Sequence, residues 1–250
     1  MKFVVEKNIL QKALLNIVSI IPAKVSYRIA ENVMLETTSD GILATTTNMD
    51  ITAQAFFAAQ IEESGSALIP AKRFGEIVKI LHGDISVSIS RLAEEESEED
   101  NPFAEPGFQC EIKAGRRHFS LPASEVNDFP TLLKPEEEEN VVEIKPKSLK
   151  TAIEKVGFAA SNEQVQTIFN GILWEAGEEE QVLVATDKKL LSAYTIKTPL
   201  GDASSLRNVF PQELFFFLSR LIEADDELMK FQFSQKSVFI KYKGYKIFSR

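Results

Sequence analysis

Apolar residues along this chain follow one pattern that occurs twice, with the second copy 139 positions after the first. In residues 10–17 and again in residues 149–156, apolar side chains recur at the three-and-four spacing of one helix face. Segments of alternating apolar and polar residues follow each stripe, as is typical of half-buried strands. The register holds without a gap from residues 3–51 to residues 142–190, so the pattern predicts two homologous domains.

Each copy also predicts a second helix, which begins directly after Pro70 in the first domain and after Pro211 in the second. The predicted order is one strand, one helix and three strands, repeated twice in each domain. This order favours an α+β fold in which each domain packs two helices on mainly antiparallel sheets. We expect domains at residues 1–134 and 141–250, joined by an acidic linker at residues 135–140 (PEEEEN).

Charge is distributed unevenly between the predicted helices and the turns. The formal net charge is −9, yet the helix-bearing stretches are all positive. Their charges are +3, +2, +3 and +1 for residues 7–24, 71–82, 145–156 and 207–222. One interpretation is a set of solvated amphipathic helices. The other is a helix face that attracts the phosphates of a nucleic acid without reading its sequence.

The residues needed for metal, disulfide or catalytic chemistry are scarce. Cys110 is the single cysteine, and the two histidines, His82 and His118, lie in different segments. The sequence contains no phosphate-binding loop and no catalytic motif, and Thr186-Asp187 favours a turn at the end of a strand. No run reaches the roughly 18 apolar residues that span a bilayer. We therefore expect a soluble, cytoplasmic, non-catalytic protein without metal or cofactor.

Several segments together resemble the bacterial sliding clamp family, the beta subunit of the replicative DNA polymerase III. MKFVVEKNILQKAL, IPAKRFGEIVKIL and RRHFSLPASEVNDFPTL resemble its first domain, and FNGILWE and VATDKKLL resemble its second. The resemblance covers essentially the whole chain. It departs where Lys188, Lys189 and Leu190 replace Gly-His-Arg. The family has three such domains, and the second repeat here stops at Arg250, so we expect a fragment without the third domain and with a truncated last strand.

The resemblance implies a role in DNA replication and repair as a processivity factor. Such a clamp encircles double-stranded DNA without sequence specificity and tethers the polymerase catalytic subunit. The clamp loader and other proteins with a clamp-binding motif are the further partners implied. Two full-length subunits would close head to tail into a homodimeric ring, whereas this fragment would be monomeric. Two alternatives are a clamp-derived protein-interaction module that no longer encircles DNA, and a nucleic-acid-processing enzyme, which the missing catalytic residues disfavour.

The candidate site residues form three groups. Positions matching DNA-facing residues of the family are Lys24, Arg73 and Lys79, and helix charge alone adds Lys12, Lys150 and Arg220. Positions matching the partner-peptide pocket are Phe169, Thr186, Lys188, Lys189, Leu190, Leu191, Pro211 and Phe216. Positions matching the subunit interface are Arg116, Phe119 and Leu121. Because two lysines replace glycine and histidine, we expect the mouth of the pocket to favour peptides with an acidic residue beside the hydrophobic anchor.

Overall fold

The computed structural model describes residues 1–22, 27–91, 107–127, 129–130, 141–161, 167–198, 206–223, 227–234 and 237–250. The chain divides into two compact units, residues 1–49 with 53–131 and residues 50–52 with 132–250. The proposed linker at 135–140 and candidate residue Lys24 lie outside the described residues. The exact boundaries 1–134 and 141–250 therefore stay a prediction.

The described residues of the first unit form two α-helices and two antiparallel sheets. The helices are α1 (Lys7–Val18) and α2 (Ala71–Ile80). The strands are β1 (Lys2–Glu6), β2 (Asn32–Thr37), β3 (Gly41–Thr47), β4 (Ile51–Ala58), β5 (Gln60–Glu63), β6 (Ser66–Pro70), β7 (Asp84–Arg91), β8 (Phe108–Ala114) and β9 (Arg117–Ala123). The first two residues of β4 belong to the second unit and the rest of the strand to the first. One sheet has the order β5-β1-β7-β8-β9, and the other contains β4-β3-β2-β6.

The second unit repeats this arrangement. Its helices are α3 (Pro146–Val156) and α4 (Gln212–Leu221). The strands are β10 (Val141–Ile144), β11 (Gly171–Ala176), β12 (Gln181–Thr186), β13 (Leu191–Ile196), β14 (Arg207–Pro211), β15 (Met229–Phe233), β16 (Val238–Tyr242) and β17 (Tyr245–Ser249). The sheets of this unit contain β13-β12-β11-β14 and β10-β15-β16-β17. The predicted α+β fold with antiparallel sheets is confirmed.

The order of elements along the chain differs from the prediction at one place in the first unit. After β4 the chain stays extended and forms the additional short strand β5, in which Ile61 pairs with Phe3 of β1. The sequence after Ala59 is largely polar, so its apolar pattern is too weak to mark a strand. The backbone hydrogen bonds to β1 define this element instead.

The helices form where the repeated apolar stripes predict them because those stripes are buried. Leu10, Leu14 and Ile17 of α1 are almost fully buried, and α1 packs against α2. Full burial of an aliphatic or aromatic side chain stabilises the folded chain by about 1.5–3 kcal/mol. A short helix is only marginally stable in isolation, so burial of each stripe supplies the free energy that keeps the helix formed. The end of α1 is fixed by the buried Thr46, whose hydroxyl donates to the Ile17 carbonyl at 2.6 Å.

An aromatic cluster centred on Trp174 forms part of the core of the second unit. The Trp174 ring centroid lies 5.4 Å from that of Phe231 and 6.0 Å from that of Phe215. The indole N–H donates to the buried Gln181 side chain at 3.1 Å. Among the consecutive phenylalanines of α4, Phe215 and Phe217 are buried while Phe216 is 39% exposed. Phe216 is therefore available to line a surface.

Within the described residues, none of the helices is long and apolar enough to cross a membrane.

Cys110 provides a probe of how often the core of the first unit opens. Cys110 is completely buried in the first unit, and this burial raises the pKa of its thiol to about 12. We expect Phe74→Ala, which removes a buried ring from the first unit, to destabilise that unit by about 3–5 kcal/mol. Labelling of Cys110 by a thiol reagent should then accelerate at least about 100-fold, because opening becomes more frequent.

The matched control is Phe56→Ala in the same unit, because the Phe56 ring is 44% exposed. Its loss creates no cavity, so the labelling rate of Cys110 should stay within about fivefold of that of the unmodified chain. Equal acceleration by both variants would contradict the dependence on the buried ring.

Candidate partner-binding and DNA-facing surfaces

The predicted pocket residues, apart from Phe216 on α4, lie at one end of the sheet β13-β12-β11-β14. Gly171 at the start of β11 pairs with Pro211 at the end of β14, and Thr186 at the end of β12 pairs with Leu191 at the start of β13. Because β11 and β12 are antiparallel, the start of β11 lies beside the end of β12. Phe169, two residues before β11, is placed at the same end.

The turn between β12 and β13 is fixed by its own side chains. The Asp187 carboxylate accepts the backbone N–H groups of Lys189 at 2.9 Å and Leu190 at 2.7 Å. The Thr186 hydroxyl accepts the N–H of Lys188 at 3.0 Å and donates to the Leu190 carbonyl at 2.7 Å. The N–H of Leu190, followed by that of Lys189, holds the pKa of Asp187 below its usual range. The predicted role of Thr186-Asp187 as a strand-ending turn is confirmed.

Lys188 has a backbone conformation that is rare for residues with a side chain. Its φ is 78°, in the left-handed region that glycine adopts readily. The equivalent turn of the first unit repeats this geometry, because Met49 has a φ of 81° and its N–H donates to the Thr47 hydroxyl at 3.0 Å. The lysine in place of glycine is therefore accommodated by the turn.

The Lys188 side chain extends over Phe169. Its Nζ lies 5.1 Å from the centroid of the Phe169 ring, which is the geometry of a cation–π interaction. The Phe169 carbonyl accepts the N–H of Ser161 at 2.8 Å, which helps to fix the backbone of the half-buried phenylalanine. Lys188 therefore covers an aromatic wall of the predicted pocket.

Apolar side chains remain exposed around this sheet end. Leu190 is 46% exposed and Leu191 is 65% exposed. On α4, Phe216 packs over Gly157, where a Cβ atom would lie 3.1 Å from its Cε1 atom. The Gln212 side chain donates to the Gly157 carbonyl at 2.7 Å and so holds α4 against this segment.

Two exposed apolar residues of the same unit were absent from the predicted pocket. Phe158 is 65% exposed and follows Gly157 in the chain, and Ile168 is 67% exposed and precedes Phe169. The signal for Phe158 was available, since it lies outside the apolar stripe of α3. For Ile168 the sequence gives no comparable signal, because its exposure depends on the backbone path before β11.

Most of the predicted DNA-facing residues are exposed on helices. In the first unit Lys12 lies on α1 and Arg73 and Lys79 lie on α2, whereas Arg220 lies on α4 of the second unit. Lys150 differs, because it is half-buried and its Nζ donates to the Ile222 carbonyl at 3.2 Å, at the C-terminal end of α4. Its ammonium therefore stabilises a helix end of its own unit.

The predicted subunit-interface residues lie on and beside β9. Arg116 is exposed in the turn before this strand, and Phe119 is half-buried. Leu121 is only 7% exposed because it pairs with the buried Cys110 on the core face of the sheet. Leu121 therefore belongs to the core of its unit, and the accessible part of the predicted interface is Arg116 with Phe119.

Across the part of the chain that the structure describes, no group of three or more His, Cys, Asp or Glu side chains is arranged to hold a metal ion.

The lowered pKa of Asp187 predicts a pH dependence of the turn. A carboxylate whose folded-state pKa is depressed adds stability above its unfolded pKa, and that stability is lost as the pH falls through the folded pKa. We expect Asp187→Asn to be less stable than the unmodified chain at pH 7, and the difference to disappear in acid. Denaturant unfolding of both proteins across this pH range measures the difference. Equal stability at pH 7 would contradict the role of the carboxylate.

Comparison with known proteins finds one family along both units of the chain. A family model for the DNA polymerase III beta subunit, N-terminal domain, matches residues 1–133, and one for its central domain matches residues 143–250. The chain is 25% identical over its full length to the beta sliding clamp of Bacillus subtilis, of which it spans 64%. It is 26% identical, over 97% of its length, to that of Caulobacter vibrioides, strain NA1000 / CB15N, of which it spans 63%.

Solved structures show the same fold. The sliding clamp of Bacillus subtilis superimposes with a TM-score of 0.86 at 23% identity, covering 100% of this chain and 64% of the clamp. The sliding clamp of Caulobacter crescentus gives a TM-score of 0.85 at 26% identity, covering 100% of this chain and 65% of the clamp. The resemblance and the predicted clamp fold are thus confirmed. With its two domains matched in order, the chain belongs to the DNA polymerase III beta subunit family, the bacterial sliding clamps.

Proposed function

We propose that this chain provides two domains of a sliding clamp, a non-catalytic processivity factor that encircles duplex DNA and tethers the replicative polymerase in the cytoplasm. The observation that carries the proposal is the exposed cations on the helices of both units, Arg73 on α2 and Arg220 on α4 among them. Family membership supports it. The chain spans 64% of the length of its Bacillus subtilis relative.

The physical basis of DNA binding in this proposal is neutralisation of phosphates. Lysine and arginine side chains near the DNA backbone release condensed counterions, which gives affinity without base recognition. The helices suit this task because their buried stripes fix which side chains remain exposed. Lys150 contributes less, since its ammonium is already bonded to the Ile222 carbonyl.

Partner binding takes place, in this proposal, at the sheet end around Phe169 and the Thr186–Leu190 turn. The partners would be the polymerase catalytic subunit, the clamp loader and other proteins that carry a short hydrophobic clamp-binding motif. Exposed Leu191 and Phe216 provide apolar surface for such anchors. A second candidate function is a clamp-derived interaction module that binds these motifs but no longer encircles DNA. The altered residues Lys188–Leu190 favour it.

Charge reversal at a helix position tests the DNA-binding surface. We expect Arg220→Glu to weaken duplex DNA binding about three- to tenfold at low salt and to reduce the salt dependence of the affinity. Lys246→Glu on β17 is the matched control, because Lys246 is also exposed, lies in the same unit and undergoes the same change of charge. Fluorescence anisotropy at two salt concentrations measures both. An equal loss in the two variants would contradict the helix assignment.

The assembly of this chain gives a second test. In the proposed ring, the first domain of one full-length subunit meets the third domain of the other, which is a heterologous contact. The 250-residue chain should therefore be monomeric at micromolar concentration, with a mass of 28.0 kDa by light scattering. A stable dimer that Phe119→Asp disrupts would contradict this arrangement.

A further inference from the structure

Lys188 covers the ring of Phe169 from a backbone position that the turn holds in place. The N–H of Lys188 is bonded to the Thr186 hydroxyl, and the next two N–H groups are bonded to Asp187. The left-handed φ of 78° is therefore maintained by bonds on both sides of the residue. This rigid base directs the lysine stem over Phe169, with Nζ 5.1 Å from the ring centroid.

The ammonium of Lys188 has only the ring face as a charge partner in the described part of the chain. Asp187 is the nearest carboxylate along the turn, but it is engaged by the N–H groups of Lys189 and Leu190. None of the ion pairs between described residues includes Lys188. An exposed cation–π contact is weaker than a charge-assisted hydrogen bond to a carboxylate, so an incoming acidic group would displace the ring.

We propose that Lys188 selects partner segments that carry an acidic side chain beside the hydrophobic anchor. The inference rests on the proposed function of this sheet end as a partner-binding surface. The carboxylate of the segment draws the ammonium away from Phe169, and the uncovered ring becomes a wall for the anchor. Leu191, 65% exposed on the adjacent strand, provides apolar surface at the same sheet end.

The ion pair to Lys188 and the apolar contact with Phe169 support each other, and this coupling gives the selectivity. A neutral segment must move the ammonium into water without supplying a new partner, so it loses the cation–π contact. A segment with a basic residue at the same place also meets like charge. An acidic segment gains an ion pair and the apolar contact in one event. Lys188 is in this respect a specificity-determining residue.

Calorimetry with two synthetic peptides tests the inference on the 250-residue chain. The peptides share a leucine anchor and differ only by aspartate or asparagine in the position before it. We expect the aspartate peptide to bind about fivefold or more tightly, as one charge-assisted contact allows. In Lys188→Gln the preference should fall to within about twofold, and the asparagine peptide should bind more tightly than it does to the unmodified chain.

Lys189→Gln is the matched control, because it removes the same charge from the same turn without touching Phe169. It should retain most of the preference. Lys188→Gly serves as a second variant, since glycine suits the left-handed backbone, and it should behave as Lys188→Gln does. A preference that survives in both Lys188 variants, or that Lys189→Gln abolishes equally, would overturn the inference.

The same titrations separate this inference from the proposed function. Binding of both peptides with equal affinity to the unmodified chain would overturn the selective role of Lys188 and leave partner binding intact. Failure of both peptides to bind at millimolar concentration would contradict partner binding at this sheet end, and the inference would fall with it.

Discussion

Burial of one apolar stripe on each helix is the constraint on which the rest of the structure depends. Once Leu10, Leu14 and Ile17 of α1 are buried, Lys12 is left on the exposed face of the same helix. The same rule leaves Arg73 exposed on α2 and Arg220 exposed on α4. Packing therefore also determines where these cations lie, because they occupy the helix positions outside the buried stripes.

Antiparallel register supplies the second level of organisation. The ends of β12 and β14 and the starts of β11 and β13 meet at one end of a sheet, which gathers residues far apart in the chain. The turn at that end appears in both units, with Met49 and Lys188 in the same left-handed conformation. The duplicated backbone therefore carries different side chains, and in the second unit the lysine reaches the Phe169 ring.

The repeated periodicity was sufficient to predict the helices and most strands, since tertiary packing and local pattern agree there. It missed β5, whose pairing with β1 depends on hydrogen bonds rather than on apolar spacing. Contacts between distant residues were also inaccessible. The bond from Lys150 to the Ile222 carbonyl joins positions 72 residues apart, and the burial of Leu121 follows from its pairing with Cys110. Likewise, the lysine at position 188, where the family has glycine, indicated an added charge but not the contact of its side chain with Phe169.

We propose that the helix faces, and not the strands, contact DNA. Photo-crosslinking tests it most directly, with a photoreactive residue placed at position 12 on α1 in one protein and at position 118 on β9 in another. Both positions are exposed in the first unit. We expect crosslinks to duplex DNA from position 12 and a yield near background from position 118. Equal yields, or a higher yield from position 118, would contradict it.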